Sequence, residues 1–186
     1  ILPFPVWWQC AVYMVLGVAG AVIFKNDFKK GGRLWKANFL RNAIWLVVAF
    51  LAQLLLSNLA VIPAYLLGTD DIGGNTQAIS AVLQIVPLPV VVLALGVLGP
   101  VVEETIYRLL LVGRAAQKLP AALCIAVSAL LFMLAHTKTF GVEGLAGVLP
   151  AFTTGLVYAF AYHKTQNITI PVILHIVNNS LSLLMA

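Results

Sequence analysis

The chain has 186 residues, 62% of them apolar and only 9% charged, with a formal net charge of +5 and a mean hydropathy of +1.02. A soluble domain carries about 25% charged residues, so this composition excludes a soluble surface and points to an integral, multi-pass membrane protein surrounded by lipid bilayer. The expected fold class is all-α: a polytopic transmembrane helical bundle of about six to eight helices, one transmembrane domain over residues 1–186, since a span needs about 20 apolar residues.

In chain order, residues 6–24 form the first apolar run. It is long enough to span and reads as a span rather than a cleaved signal peptide. The sequence starts at Ile1 and not at methionine, which leaves room for a longer chain. A basic loop over residues 25–41 follows, with Lys25, Lys29, Lys30, Arg33, Lys36 and Arg41 among the eleven basic residues of the chain. The positive-inside rule places that loop in the cytoplasm, and attraction to anionic lipid explains it better than binding to nucleic acid. A second span is expected over 42–67. The break "GTDDIGGNTQ" at 68–77 holds Asp70 and Asp71 and suits the opposite side of the membrane. A third span over 78–98 should be kinked by Pro87 and Pro89. Gly99 and Pro100 should then break the helix ahead of a short helix at 101–117. Further spans are expected at 121–136, 145–163 and 168–186. Cys10 and Cys124 both lie in apolar runs and read as small core residues, not as a disulfide.

Against this background a few polar residues are out of place. A charged group inside a span costs about 2.5–3.5 kcal/mol on insertion scales, so it marks a site or pathway by default. In "GPVVEETIYRLLL" (99–111), Glu104 and Arg108 stand four apart and about 40° apart around a helix, which suits an ion pair. Glu103 lies about 140° from Arg108, which leaves it free for acid–base work. The alternative is one ion cluster that only fixes packing. In "FMLAH", Phe132 and His136 share a helix face. In "LHIVNNSL", Asn178 and Asn179 follow His175 by three and four residues, so His175 and one amide can aim donors at a single point, as oxyanion stabilisation requires. Asparagines in spans also serve as interhelical glue. His163, next to Lys164, reads as an interfacial residue.

Glu-Glu-x-x-x-Arg, Phe-x-x-x-His and His-x-x-x-Asn, in that order, resemble the motifs of the CAAX protease and bacteriocin-processing family of intramembrane proteases. Here they are Glu103, Glu104 and Arg108; Phe132 and His136; and His175 and Asn179, within a motif-bearing core of about 98–186. The resemblance implies an intramembrane endopeptidase acting on a membrane-associated peptide or protein, such as a CAAX-like tail or a bacteriocin or pheromone precursor. Glu103 and His136 would activate water, His175 and Asn179 would hold the oxyanion, and Glu104, Arg108 and Phe132 would support them. It also favours a metal-free glutamate mechanism with no cofactor, while the small size and lack of extra domains point to a prokaryotic cell membrane. A zinc-dependent reading with Glu103 and the two histidines is the alternative, although the usual His-Glu-x-x-His helix is absent. A membrane immunity or regulatory protein without catalysis, and a proton relay, are the readings from other classes. Where the family often has Phe-Arg-Gly, this chain has Tyr107, Arg108 and Leu109, so a close-packing position is lost. Nothing in the sequence sets the oligomeric state.

Overall fold

The computed structural model describes residues 6–69, 81–137 and 139–184. Among these residues the structure is helical throughout, with no strand. The elements are α1 (Val6–Ile23), α2 (Lys25–Ala37), α3 (Phe39–Leu66), α4 (Leu88–Gln117), α5 (Ala121–His136), α6 (Val142–Thr165) and α7 (Thr169–Leu184). The protein is an all-α membrane bundle, as the composition requires. Four of the helices, α1, α3, α4 and α6, are long and apolar enough to cross a membrane. The other two apolar helices, α5 and α7, have 16 residues each, or about 24 Å of helix against a hydrocarbon core of about 30 Å. Helices α4 and α6 are the most enclosed, whereas α1 and α3 turn Val15, Val18, Leu51 and Leu55 outwards to lipid.

Three expectations are corrected. First, the basic stretch at 25–41 is not a loop: residues Lys25–Ala37 form the amphipathic helix α2. Its inner face packs Phe28 and Trp35 onto the bundle, and Trp35 Nε1 donates to Thr169 Oγ1 at 2.8 Å. Its Lys and Arg side chains remain exposed. A mixed polar sequence reads as a loop only until an apolar stripe at helical spacing is allowed a partner surface.

Second, Gly99 and Pro100 do not break the helix. The segment runs unbroken from Leu88 to Gln117. A proline inside an α-helix removes one hydrogen bond and crowds the carbonyl four residues before it. Here Val92–Leu98 is wound as π-helix, and the Gly99 amide donates to Ala94 O five residues back. The wider turn accommodates Pro100. A second π-helical stretch, Thr105–Arg114, follows the glutamates. Third, Pro87 and Pro89 do not kink a span but start one, with Pro87 at the N-cap and Pro89 in the first turn, where a missing N–H is harmless. The acidic break expected on the far side lies almost wholly at 70–80, outside the described residues.

The turn between α6 and α7 is built by capping. Gln166 adopts the left-handed conformation that ends α6, with its amide on Tyr162 O at 2.7 Å. Asn167 then accepts from the amide and hydroxyl of Thr169. Helix α2 rests on this turn through Gly31, where an added Cβ would lie 2.6 Å from Thr169 Cγ2 and 2.7 Å from Asn167 Oδ1. Next to it, Gly32 faces open space. Gly31→Ala should therefore lower stability by about 1–3 kcal/mol through overpacking. Gly32→Ala should raise it by about 0.5–1 kcal/mol through helix propensity. Thermal unfolding in detergent measures both signs.

Candidate active site

The two glutamates sit near the middle of α4, between its π-helical stretches. The side chains diverge as helical phase demands. Glu104 turns into the bundle with Arg108, and Arg108 Nη1 donates to Glu104 Oε1 at 3.0 Å with both side chains fully buried. Arg108 is held further by Gly155 O of α6 at 3.3 Å and by the Phe132 ring, 4.5 Å below the guanidinium. A planar cation between a carboxylate and an aromatic face is the favourable way to bury this charge.

The same carboxylate oxygen also takes the imidazole of His175. Nδ1 of His175 lies 2.8 Å from Glu104 Oε1, and Nε2 lies 3.7 Å from Glu103 Oε2. A carboxylate can only accept, so Nδ1 carries a hydrogen and the ring is oriented with Nε2 towards Glu103. Sequence phase had paired Glu104 with Arg108 alone. The link to His175 comes from a helix 71 residues away, which no periodicity within α4 encodes.

Glu103 faces a cavity of about 390 Å³ whose lining includes Tyr13, His136, His175 and Asn179. Its Oε1 accepts from the Tyr13 hydroxyl at 3.2 Å, and its Oε2 has no hydrogen bond. His136, the last residue of α5, places Nδ1 2.8 Å from Phe132 O and stacks on the Phe132 ring at 4.4 Å. The carbonyl fixes the hydrogen on Nδ1, so the other ring nitrogen is the base-type atom. His136 and Glu103 share the cavity without bonding to each other. Phe132 is buried and packs edge-on against both Tyr107 and His175.

Asn179 donates from Nδ2 to Leu95 O at 3.0 Å. Its neighbour Asn178 accepts from Gln53 of α3 at 3.0 Å, so it is the interhelical member of the pair. Leu95 lies in the first π-helical stretch. In the second, Tyr107 O accepts from Ser128 of α5 at 2.7 Å. Both π-helical stretches thus offer a backbone carbonyl to a neighbouring helix. Leu109, at the position where a close-packing glycine was expected, fills the core with Val112, Ala159 and Tyr162. His163 stands at the end of α6, away from the cavity.

The structure therefore gathers Glu103, His136, His175 and Asn179 at one cavity, with Glu104, Arg108 and Phe132 behind them. Tyr13 and Gln53 were not found from the sequence, and Tyr107 was noted only as a departure from the family motif. Tyr13 and Gln53 are each a polar-tipped residue inside an apolar run, a signal without a partner to give it meaning. Among the described residues, no three His, Cys, Asp or Glu side chains converge closely enough to hold a metal ion. Cys10 and Cys124 are buried and free.

The family model described as type II CAAX prenyl endopeptidase Rce1-like matches residues 84–181. The chain is 29% identical over 143 residues to the protein named "Putative membrane peptidase YdiL" of Bacillus subtilis (strain 168), covering 76% of this chain and 55% of that one. It is 21% identical over 142 residues to "Membrane-embedded CAAX protease MroQ" of Staphylococcus aureus (strain USA300), covering 73% of this chain and 54% of that one. The chain thus spans about half the length of the curated relatives it matches. No solved structure matches significantly.

Removing one partner of a buried pair leaves an uncompensated charge, at a cost of about 3–5 kcal/mol. Glu104→Ala should therefore sharply lower the unfolding temperature in detergent. Glu103→Ala, which loses one hydrogen bond at a cavity wall, should cost about 1.5–3 kcal/mol or less. Equal losses in the two melting curves would contradict the division between the glutamates.

Proposed function

The chain belongs to the Rce1-like family of type II CAAX prenyl endopeptidases, and from that premise we propose that it is an intramembrane glutamic endopeptidase. The observation that carries this reading is one cavity among the helices of an apolar bundle, at which the Glu103 carboxylate meets two imidazoles and an amide. Such groups cost free energy in a membrane and persist where they do chemistry.

In the proposed reaction a water in the cavity sits between Glu103 and His136. His136 accepts a hydrogen bond from it at Nε2, and the Glu103 carboxylate takes one of its protons. The hydroxide oxygen bonds to the scissile carbonyl carbon. The resulting oxyanion accepts from the second amide hydrogen of Asn179, whose first is spent on Leu95 O, and from Nε2 of His175. For Nε2 to donate while Nδ1 is bonded to Glu104, the imidazole carries both hydrogens, and with Glu103 holding the water proton the counter-charge comes from the Glu104 carboxylate. The C–N bond then breaks as Glu103 returns its proton to the leaving amine. The products are a carboxylic acid and an amine, and no metal is needed to balance the steps.

The substrate class is a membrane-associated peptide, either a prenylated CAAX-like tail or a hydrophobic leader or pheromone precursor. The reach of the cavity among lipid-facing helices suits a substrate delivered from the bilayer. The exposed basic face of α2, beside Arg114 of α4 bonded to Asp27 at 3.0 Å, supports a cytoplasmic location for that end of the bundle by the positive-inside rule, and the membrane proposed is that of a prokaryotic cell.

The test is cleavage in proteoliposomes of two quenched-fluorescence peptides, one with a farnesylated CAAX tail and one a hydrophobic leader. Glu103→Gln should lower the rate by about 10²–10⁴-fold with the fold intact, the range for a general base. His136→Ala and His175→Ala should fall comparably, and chelators should leave the wild-type rate unchanged. Undiminished cleavage by Glu103→Gln would remove the assignment, and zinc-restorable loss with a chelator would replace the mechanism.

A further inference from the structure

Helix α1 lies wholly before the region that matches the family model, yet it contributes to the cavity wall. We propose that Tyr13 of α1 is a positioning residue for Glu103: its hydroxyl holds one carboxylate oxygen and so fixes the direction of the carboxyl group at the cavity wall, with the other oxygen turned towards His175. The kinetic part of this inference rests on the endopeptidase reading above; the structural part does not.

Three observations carry it. The Tyr13 hydroxyl donates to Glu103 Oε1 at 3.2 Å, while Oε2 has no hydrogen bond and faces His175 Nε2 at 3.7 Å. An unheld carboxyl group turns about its terminal torsion, which is broad. A donor on one oxygen reduces that freedom and fixes the plane of the carboxyl group beside the cavity. Next, α1 is locked to α4 in the register that brings the two residues together. A Cβ on Gly17, one turn after Tyr13, would lie 2.6 Å from Leu98 Cβ, so α1 and α4 touch closely at that point. Finally, the Tyr13 ring lies against α4 at Gly99, one turn before Glu103, where an added Cβ would meet Tyr13 Cδ1 at 3.5 Å, an ordinary contact distance. The close approach at Gly17 and the ring contact at Gly99 together set one ring beside one carboxylate. A tyrosine placed only for packing would not need its hydroxyl on the one glutamate that faces the cavity.

Tyr13→Phe removes a single oxygen and keeps the ring. Two measurements are made on the full chain in proteoliposomes. The first is steady-state cleavage of the farnesylated peptide. The expected result is a fall in kcat of about tenfold, the size of one hydrogen bond to a charged group, with KM unchanged. The second is the rate at which dicyclohexylcarbodiimide, an apolar carboxyl reagent, labels Glu103, followed by peptide mass spectrometry. The expected result is severalfold faster labelling, because the hydroxyl no longer holds Oε1. Tyr65→Phe, on an exposed part of α3, serves as the control and should change neither.

Unchanged kcat together with unchanged labelling would overturn the inference. So would a rise in KM at constant kcat, since Tyr13 would then contact substrate and not act through Glu103. If the wild type cleaves neither peptide, the endopeptidase reading fails, but the labelling rates still decide the role of Tyr13. Should Tyr13→Phe not fold, Gly17→Ala takes its place under the same criteria, because its added Cβ must push α1 away from Leu98.

Discussion

The arrangement of this bundle depends on how one buried carboxylate is neutralised. Glu104 is fully buried in a protein with few charges, and an isolated ion there would cost far more than the fold can bear. Arg108 and His175 both donate to its Oε1. The first partner comes from the next turn of the same helix and the second from α7. Arg108 in turn reaches α6 through Gly155 O and stands over Phe132 of α5. One acid thereby ties together four helices, and its partners occupy the back wall of the cavity. The front wall follows from this. His175 is oriented by Glu104, so its other nitrogen is directed at Glu103.

The winding of α4 serves the same end. Two π-helical stretches lie on either side of the glutamates, and each presents a backbone carbonyl to a neighbouring helix. Leu95 O receives Asn179 of α7, and Tyr107 O receives Ser128 of α5. In lipid such carbonyls must find donors within the protein, and the donors they find are on the helices that carry His175 and His136. The irregular backbone thus fixes the two histidine helices relative to the glutamates. Irregular helical winding is common at functional sites for this kind of reason.

The N-terminal half has a similar logic with weaker signals. Helix α1 is mostly lipid-facing, but Gly17 and Tyr13 bring it against α4 beside Glu103. Helix α3 is tied to α7 by Gln53 and to α6 by Ser57, which bonds Thr154 at 3.1 Å. Helix α2 lays its aromatic side on the α6–α7 turn and keeps its basic side outward. These contacts are single hydrogen bonds and close glycine approaches, the usual means of helix association where the hydrophobic effect is absent.

The sequence by itself determined that the chain is a helical membrane protein, because a chain with so few charges cannot cover a surface in water. It determined the Glu104–Arg108 pair and the separate direction of Glu103, because the 100° step between residues is a property of one helix. It also marked His136, His175 and Asn179, because each is expensive in lipid. The bounds of α1 and α5 could be read from their apolar runs. Other features were decided only by tertiary structure. The winding through Pro100 depends on what the freed carbonyls meet, and the helix at Lys25–Ala37 depends on a surface to receive Phe28 and Trp35. The bond from His175 to Glu104 and the hydroxyl of Tyr13 on Glu103 join residues 71 and 90 positions apart. Periodicity fixes the face of a helix on which a side chain lies, but the distance between faces of different helices is set only when they pack.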